Sequence, residues 1–384
     1  MMRIAVVSHV RHPIAPPFMG GMEAHSWHLV DALVRAGHDV TLFASGDSAA
    51  ALPRGAKLFP ILEEHYDRRY PWHDFHGTET LNAHVDAGFA RAARALLDGG
   101  FDVIHNNSLH RYPPRLARVH RLPIVTSLHI PPFDALRRAV HESAAPWARF
   151  TVTSHRQMRI WWPDGPPAEA GVASNGIDPA AWPYVPGGDG SAVWAGRITP
   201  TKGTHLAVRA ARLAGVPLTI YGTIEDRGYF DREVAPHLDD AVRYGGHLQG
   251  RELAAAYGRA SVLLFTPCWE EPFGLAAIEA MATGLPVAAI ANGAAQEIIG
   301  PAGLYAVQDR PQDLAGILRR AMTIDPVVPF RRVMERYTID HMIETYEASY
   351  AAAIAGVARQ DVPDVTFPPI ELTLDAPVLL ALHA

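Results

Sequence analysis

Two cations stand five residues apart in the segment 194–203, which reads WAGRITPTKG. Arg197 follows a glycine at the end of an apolar run, and Lys202 precedes another glycine at a helix start. Arginine offers a planar fork of donors and lysine a compact charge, so the two together could hold a diphosphate. A solvated pair on a surface turn is the plain alternative. The composition favours a functional role, because only two of the 34 basic residues are lysines.

Two glutamates, Glu271 and Glu279, stand eight residues apart in the run 267–282, PCWEEPFGLAAIEAMA. The first follows an apolar run and precedes a predicted helix whose free N–H groups start near Gly274. Here a carboxylate can accept hydrogen bonds from vicinal hydroxyls, while the free N–H groups of the helix face a phosphate. Spacing alone is not specific, because Glu225 and Glu233 share it. That second pair lies in a polar stretch, where we expect a solvated helix face.

A further candidate phosphate contact is Gly20-Gly21, which follows the long loop 8–19 and opens the first predicted helix. Helix N-termini suit anions, although glycines that merely allow a tight turn would look the same. The dinucleotide fingerprint G-x-G-x-x-G does not occur here. None of the 23 aspartates forms a D-x-D pair, and H-E-x-x-H and G-x-S-x-G are missing from the sequence. The missing D-x-D removes the usual carboxylate clamp of metal-dependent sugar transferases. The absence of the other two motifs disfavours zinc peptidases and α/β-hydrolases.

Short apolar runs alternate with helical patterns along most of the chain, which predicts parallel strands joined by crossover helices. A Pro- and Gly-rich stretch at 178–190 separates two such series and has the composition of a linker. The predicted strands are 3–7, 39–44, 102–105, 124–129, 150–154, 192–195, 218–221, 242–244, 262–266 and 287–290. The predicted helices are 21–36, 78–97, 204–213, 251–259, 274–282 and 340–355. We therefore expect an α/β protein with two Rossmann-like, doubly wound domains that face each other across a cleft.

The length of 384 residues agrees with two domains, which we place at 1–178 and 191–336. A helix at 337–356 is expected to pack back toward the first domain, and 357–384 reads as a surface tail. The net charge of −6 and the lack of basic runs argue against a nucleic-acid partner. A single cysteine, Cys268, excludes an internal disulfide and predicts a reducing, cytoplasmic location. No apolar stretch reaches the ~18 residues of a membrane span, so at most peripheral membrane contact is expected.

Three motifs together resemble glycosyltransferase family 4, as found in bacteria. They are the G-G-M-E helix start, the G-R-x4-K-G turn and the run E-P-F-G-x4-E-A-M-A-x-G-x-P-V. The similarity covers roughly residues 2–355, and the last motif is the most specific. The resemblance implies the GT-B fold, with the nucleotide on the second domain and the acceptor on the first.

By this resemblance, Glu279 holds the ribose hydroxyls, Glu271 the hydroxyls of the transferred sugar, and Arg197 and Lys202 the diphosphate. His129, at the end of a first-domain strand, matches the family histidine near the transferred sugar. The expected catalytic residues are therefore Arg197, Lys202, His129 and Glu271.

The resemblance also implies that Leu248 hydrogen-bonds the base through its main chain. The remaining donor-binding residues expected from it are Gly20, Gly21, Gly196, Phe273, Gly274 and Leu275. One departure from the family pattern is local: the glutamate that often follows the Val-Ser strand is replaced by the segment 153–156, to which we assign no role.

The sequence thus predicts a retaining, metal-independent glycosyltransferase that moves a hexose from a nucleotide-diphosphate sugar, most simply a UDP-sugar, to an unidentified acceptor hydroxyl. No cofactor is expected. A nucleotide-sugar epimerase or a glycan phosphorylase is an enzymatic alternative, although a phosphorylase would need a further lysine for pyridoxal phosphate. A catalytically silent protein that binds nucleotide sugars is the alternative outside enzymes.

Overall fold

The structure is a computed structural model, and it describes residues 1–363. Contacts along the chain divide it into two units. Among these residues, the first unit comprises 1–153, 158–173 and 343–363, and the second comprises 154–157 and 174–342. The part of the expected tail beyond residue 363 lies outside the described residues. No helix among residues 1–363 is both long enough and apolar enough to span a lipid bilayer.

The first unit contains a seven-stranded parallel sheet in the order β3-β2-β1-β4-β5-β6-β7. Its strands are β1 (Arg3–Ser8), β2 (Asp39–Ser45), β3 (Lys57–Leu62), β4 (Val103–Asn107), β5 (Ile124–Leu128), β6 (Ala148–Val152) and β7 (Ala170–Val172). The helices of this part of the chain are α1 (Gly21–Arg35), α2 (Trp72–Phe75), α3 (Glu79–Asp98), α4 (Tyr112–His120), α5 (Asp134–Ser143) and α6 (His155–Trp161). The central strands β1, β4 and β5 are almost wholly buried, as expected of a parallel sheet covered on both faces.

The second unit contains a six-stranded parallel sheet in the order β10-β9-β8-β11-β12-β13. Its strands are β8 (Ala192–Ala195), β9 (Leu218–Tyr221), β10 (Val242–Tyr244), β11 (Val262–Phe265), β12 (Val287–Ala289) and β13 (Gly303–Tyr305). The remaining helices of the chain are α7 (Thr204–Ala214), α8 (Arg227–Tyr229), α9 (Gly250–Arg259), α10 (Leu275–Ala282), α11 (Ala295–Ile299), α12 (Pro311–Ala321), α13 (Val327–Arg336) and α14 (Ile339–Gly356). One hydrophobic cluster joins a face of this sheet to α9, α10 and α11, and a second joins the other face to α7 and α12.

The predicted fold class, two Rossmann-like parallel sheets, is confirmed. The sequence analysis missed three strands, β3, β7 and β13, and each is an edge strand of its sheet. Edge strands are short or half-exposed, so they lack the continuous apolar run by which the central strands are identified. Pro60 in β3 further weakens the strand pattern, and it is tolerated there because an edge strand has one unpaired side.

Candidate functional site

The order in which strands are added to the second sheet reverses between β8 and β11. The chain runs outward from β8 through β9 to β10, and then returns to place β11 on the other side of β8. In open α/β sheets, ligands bind at such a reversal, beyond the carboxyl ends of the strands. The loops that follow β8 and β11 are those with the Arg-Lys pair and with Glu271. The topology therefore brings the two strongest sequence motifs to one edge of the sheet.

These two loops are joined by main-chain and side-chain hydrogen bonds. The Cys268 N–H donates to the carbonyl of Thr201 over 2.7 Å, and the Thr266 hydroxyl lies 3.0 Å from the carbonyl oxygens of Lys202 and Gly203. Gly203 has a φ of +65°, and a Cβ there would come within 2.1 Å of the Thr266 carbonyl. A glycine is thus required at the end of the turn that carries Lys202.

Lys202 and Glu271 contact each other directly. The Lys202 ammonium lies 2.5 Å from Oε2 of Glu271, and the same oxygen accepts a hydrogen bond of 2.7 Å from the Trp269 indole. The ammonium also lies 4.9 Å from the centre of the Trp269 ring, within the range of a cation–π contact. Trp269 therefore contacts both charged groups at once, a role that the sequence analysis did not assign to it.

The main chain around Glu271 is held in place by a neighbouring loop. The Ala294 N–H donates to the Glu271 carbonyl over 2.8 Å, and Gly293 packs so closely that a Cβ there would lie 2.2 Å from the Glu271 nitrogen. The Glu271 side chain is buried. A buried carboxylate needs charged or polar partners, and Lys202 and Trp269 supply them.

Lys202 contacts the loop after β11, whereas Arg197 contacts the loop after β9, the strand on the opposite side of β8. Its Nη1 is 2.6 Å from Oε2 of Glu225, which follows β9. This pairing corrects the expectation that Glu225 and Glu233 form one solvated helix face. Glu233 does lie on the surface, where it pairs with Arg209, but Glu225 lies in the loop after β9 with its side chain only 15% exposed. The expectation failed because adjacency of β8 and β9 brings together residues that are 28 positions apart.

Helix α10 begins at Leu275, four residues after Glu271, and its first turn supplies free N–H groups. Its N-cap is Gly274 with a φ of +101°, and a Cβ there would lie 2.8 Å from the Phe265 ring. Phe273 is buried against the ring of Tyr337, so its side chain belongs to the core and only its main chain is left for a donor contact. Leu275, the first helical residue, is partly buried against the same core.

Glu279 lies one helical turn after Leu275 and therefore on the same face of α10. Burial raises the pKa of Glu279 to about 7. Tyr257 on α9 is fully buried and, among the residues that the structure describes, its hydroxyl has no hydrogen-bond partner. Burial, and then the Glu279 charge, raise the pKa of Tyr257 well above its usual value. The surroundings of Glu279 thus favour its neutral form.

The loops after β9 and β10 lie beside the Arg197 loop. The Gly222 N–H donates to the Gly246 carbonyl over 2.9 Å, and a Cβ on Gly222 would come within 1.8 Å of the Gly196 carbonyl oxygen. Leu248 follows Gly246 and is partly buried against the core. Gly196 and Leu248 therefore lie on neighbouring loops at the carboxyl edge of the sheet.

The first unit contains the remaining candidates, Gly20, Gly21 and His129. Gly20 is the extended N-cap residue of α1, and Gly21 is its first helical residue. His129 follows β5 and is nearly buried, and its Nε2 lies 3.2 Å from Oδ1 of Asn107 at the end of β4. Burial, followed by the charges of His105 and His9, lowers the pKa of His129 to about 3, so the imidazole is neutral near pH 7.

Asn107 is a residue that the sequence analysis missed, and it connects His129 to a buried polar network. Its Oδ1 is also 2.9 Å from Nε2 of His105, whose Nδ1 lies 2.7 Å from the Tyr350 hydroxyl on α14. Because the amide oxygen can only accept, the Nε2 atoms of both histidines are donors. The rings of His25 and His129 are 4.2 Å apart, and Nε2 of His25 has no hydrogen-bond partner among residues 1–363.

Among residues 1–363, no three His, Cys, Asp or Glu side chains are grouped as metal ligands would be. Cys268 is an exposed residue of the loop after β11, and partial burial of its thiol, followed by the Asp309 charge, raises the pKa of that thiol. A raised pKa leaves less of the reactive thiolate, so the geometry gives this cysteine no role as a nucleophile.

Two family descriptions match the chain. "Glycosyltransferase Family 4" matches residues 19–181, and "Glycosyl transferases group 1" matches residues 185–341. A glycogen synthase of Mycobacterium tuberculosis is 29% identical over 401 residues, which span 93% of this chain and 95% of that protein.

Solved structures of low sequence identity share the fold. The sucrose-phosphate synthase of Thermosynechococcus elongatus superposes with a TM-score of 0.71 at 21% identity and covers 92% of this chain and 100% of its own. Anabaena Alr3699/HepE in complex with UDP-glucose superposes with a TM-score of 0.67 at 18% identity and covers 91% of this chain and 100% of its own.

Proposed function

Because the chain belongs to glycosyltransferase family 4 and is a glycosyltransferase of the GT-B type, we propose that it transfers a hexose from a nucleotide-diphosphate sugar to an acceptor hydroxyl. A UDP-sugar is the simplest donor, and one solved relative of the same fold is a complex with UDP-glucose. The observation that carries the proposal is the contact of Lys202 with Glu271 beyond strands β8 and β11, where the strand order of the second sheet reverses. There, two cations, a carboxylate and a helix N-terminus meet at one edge.

The proposed chemistry is governed by the leaving group. The bond between the anomeric carbon and the diphosphate oxygen breaks, and the acceptor oxygen forms a new bond to the same face of that carbon. Negative charge then grows on the diphosphate, where Arg197 and Lys202 stabilise it as preorganised cations. The acceptor hydroxyl gives its proton to the leaving phosphate. The anomeric configuration is retained, and no metal ion takes part.

Lys202 must change partners for this reaction. Its ammonium is held by Glu271, and a diphosphate of higher charge is a stronger partner for it. Release of Lys202 leaves the Glu271 carboxylate to accept hydrogen bonds from the hydroxyls of the transferred sugar. Glu279 on α10 accepts those of the ribose, and the main chain near Leu248 contacts the base.

His129 serves the transferred sugar from the first unit in this proposal. Its low pKa means that it acts as a neutral hydrogen-bonding group and not as a cation. Asn107 accepts from Nε2, which fixes the tautomer and leaves Nδ1 as an acceptor. The acceptor substrate would bind beside the first unit. A cytoplasmic location with at most peripheral membrane contact stays a prediction from composition.

The first experiment is a donor screen. Thermal shift with UDP-, GDP- and ADP-sugars identifies the donor, and incubation of that labelled donor with candidate acceptors identifies transfer. Stabilisation by one donor followed by a new glycosidic product supports the proposal. Conversion of the donor to an isomeric nucleotide sugar would instead favour the epimerase, and tight binding without any turnover would favour the silent binding protein.

A further inference from the structure

We propose that Glu225 is a positioning residue for Arg197, which binds one edge of the guanidinium and leaves the other edge for the donor diphosphate. This inference rests on the proposed function of the second unit. Nη1 of Arg197 lies 2.6 Å from Oε2 of Glu225. The Arg197 side chain is 39% exposed while that of Glu225 is 15% exposed, so the carboxylate is the more buried partner and the guanidinium the more accessible one.

The two loops that carry this pair are held together by their main chains. Three hydrogen bonds flank it: Gly196 N–H to the Tyr221 carbonyl at 3.1 Å, Ile198 N–H to Thr223 at 2.8 Å, and Asp226 N–H to Ile198 at 3.3 Å. The close approach of Gly222 to Gly196 leaves no room for a side chain between the loops. The distance between Arg197 and Glu225 is therefore set by the sheet and not by two mobile surface segments.

The guanidinium retains unused donors. Among residues 1–363, Nε and Nη2 of Arg197 make no hydrogen bond, while Nη1 is bound to Glu225. A free arginine side chain loses rotamer entropy when it is ordered on a ligand. Binding at one end reduces this loss beforehand and directs the remaining edge outward. Glu225 is thus suited to orienting Arg197 without occupying the donors that a phosphate needs.

The contrast with Lys202 supports this assignment. The Lys202 ammonium is a compact charge that Glu271 binds. In the proposed function Glu271 then accepts hydrogen bonds from the sugar hydroxyls instead. Lys202 therefore exchanges its carboxylate for the diphosphate, whereas Arg197 can keep Glu225 and bind the diphosphate at the same time. The sequence analysis had no sign of this difference, because Glu225 matches none of the family motifs.

The chain offers a matched control in Glu233. It binds Nη2 of Arg209 at 2.7 Å, and both side chains are about 40% exposed on the surface of helix α7 and the segment after α8. Glu225→Gln and Glu233→Gln thus each remove one charge from one arginine pair in the same unit. They differ in whether the arginine stands in the loop after β8, and Glu225 is the more buried of the two glutamates.

The test is calorimetric binding of a nucleoside diphosphate and of the corresponding monophosphate, UDP and UMP if the donor screen selects UDP. We expect Arg197 to bind the β-phosphate, on which the leaving-group charge grows and which UMP lacks. Glu225→Gln should therefore weaken UDP binding about tenfold, or about 1.4 kcal/mol, and change UMP binding little. Glu233→Gln should change neither. In an Arg197→Ala background, Glu225→Gln should cause no further loss, because a positioning residue acts through the group that it positions.

Three results would overturn the inference. Wild-type UDP affinity in Glu225→Gln, equal losses for UDP and UMP, or an undiminished loss in the Arg197→Ala background would each exclude a positioning role. Melting temperatures of all variants distinguish these results from unfolding. If the wild-type protein binds no nucleotide at all, the proposed function fails and this inference with it. If the wild-type protein binds UDP and Glu225→Gln leaves the UDP affinity unchanged, the proposed function stands and the role of Glu225 is rejected.

Discussion

The ammonium of Lys202 and the indole N–H of Trp269 bind the same carboxylate oxygen of Glu271, over 2.5 and 2.7 Å. The carboxylate is buried, so the two donors compensate for most of its lost hydration. In the proposed function Lys202 leaves Glu271 for the diphosphate, and the Trp269 indole is then the donor that would keep Glu271 in place. We therefore predict a role for the tryptophan that neither charged residue can fill.

Trp269→Phe tests that role, because phenylalanine keeps an aromatic ring beside Lys202 and removes the N–H. A hydrogen bond to a charged group contributes about 1.5–3 kcal/mol, so we expect kcat/KM to fall by about tenfold or more. Binding of the free nucleotide diphosphate should change little, because Glu271 is proposed to contact the sugar. Steady-state kinetics and calorimetry together check this. An unchanged kcat/KM would show that Glu271 does not need the indole.

His129→Ala should lower turnover more than it raises the donor dissociation constant, because in the proposed function His129 meets only the sugar. His120→Ala is the control, since His120 is exposed at the end of α4 in the same unit. Turnover and donor binding are measured separately for both variants. Normal turnover in His129→Ala, or loss of binding of the bare nucleotide, would contradict the placement of this histidine.

Glu279 makes the stability of the fold depend on pH. Its pKa is raised from 4.5 to about 7, so between these values the folded state holds a proton that the unfolded state has lost. Folding stability therefore falls as pH rises from 4.5 to 7 and changes no further above that. Glu279→Gln removes this pH dependence. Relative to the wild type, the variant should gain about 2–3 kcal/mol in free energy of unfolding between pH 5 and pH 8.

Urea unfolding of the donor-free protein at both pH values measures this difference. Glu252→Gln on the exposed side of α9 is the control and should show no such gain. If Glu279→Gln and the wild type keep a constant difference from pH 5 to pH 8, the Glu279 carboxyl does not titrate as its burial implies.

Activity should not require a divalent metal, because the sequence contains no D-x-D to clamp one beside a diphosphate. Transfer measured after EDTA treatment and desalting should equal that of the untreated enzyme. Magnesium and manganese should add nothing when they are returned. Activity that EDTA abolishes and either ion restores would show that a metal takes part.

The central strands and the main site motifs could be predicted from sequence because both depend on local pattern. Strands β8, β9 and β10 have the predicted bounds, since each is an apolar run between turn residues. The partner of Arg197 could not be predicted in this way. Glu225 is 28 residues away, and only the pairing of β8 with β9 brings the two together. Asn107 and Trp269 were missed for a related reason, because their partners lie on other strands or in the neighbouring turn.

The division of labour within the donor site is the central claim, and single-turnover kinetics at saturating donor test it most directly. In the proposed reaction Lys202 faces charge that grows as the glycosidic bond breaks, so Lys202→Ala should reduce the saturated rate about a hundredfold or more, and Lys202→Arg should restore it only in part. Lys57→Ala, which removes the other lysine from an exposed pair with Asp39, should have no effect. Glu279→Gln should weaken binding of donor and nucleotide alike and spare the saturated rate, because uniform binding raises KM alone. An unchanged saturated rate in Lys202→Ala together with its loss in Glu279→Gln would reverse the two roles and place Glu279 in the chemistry.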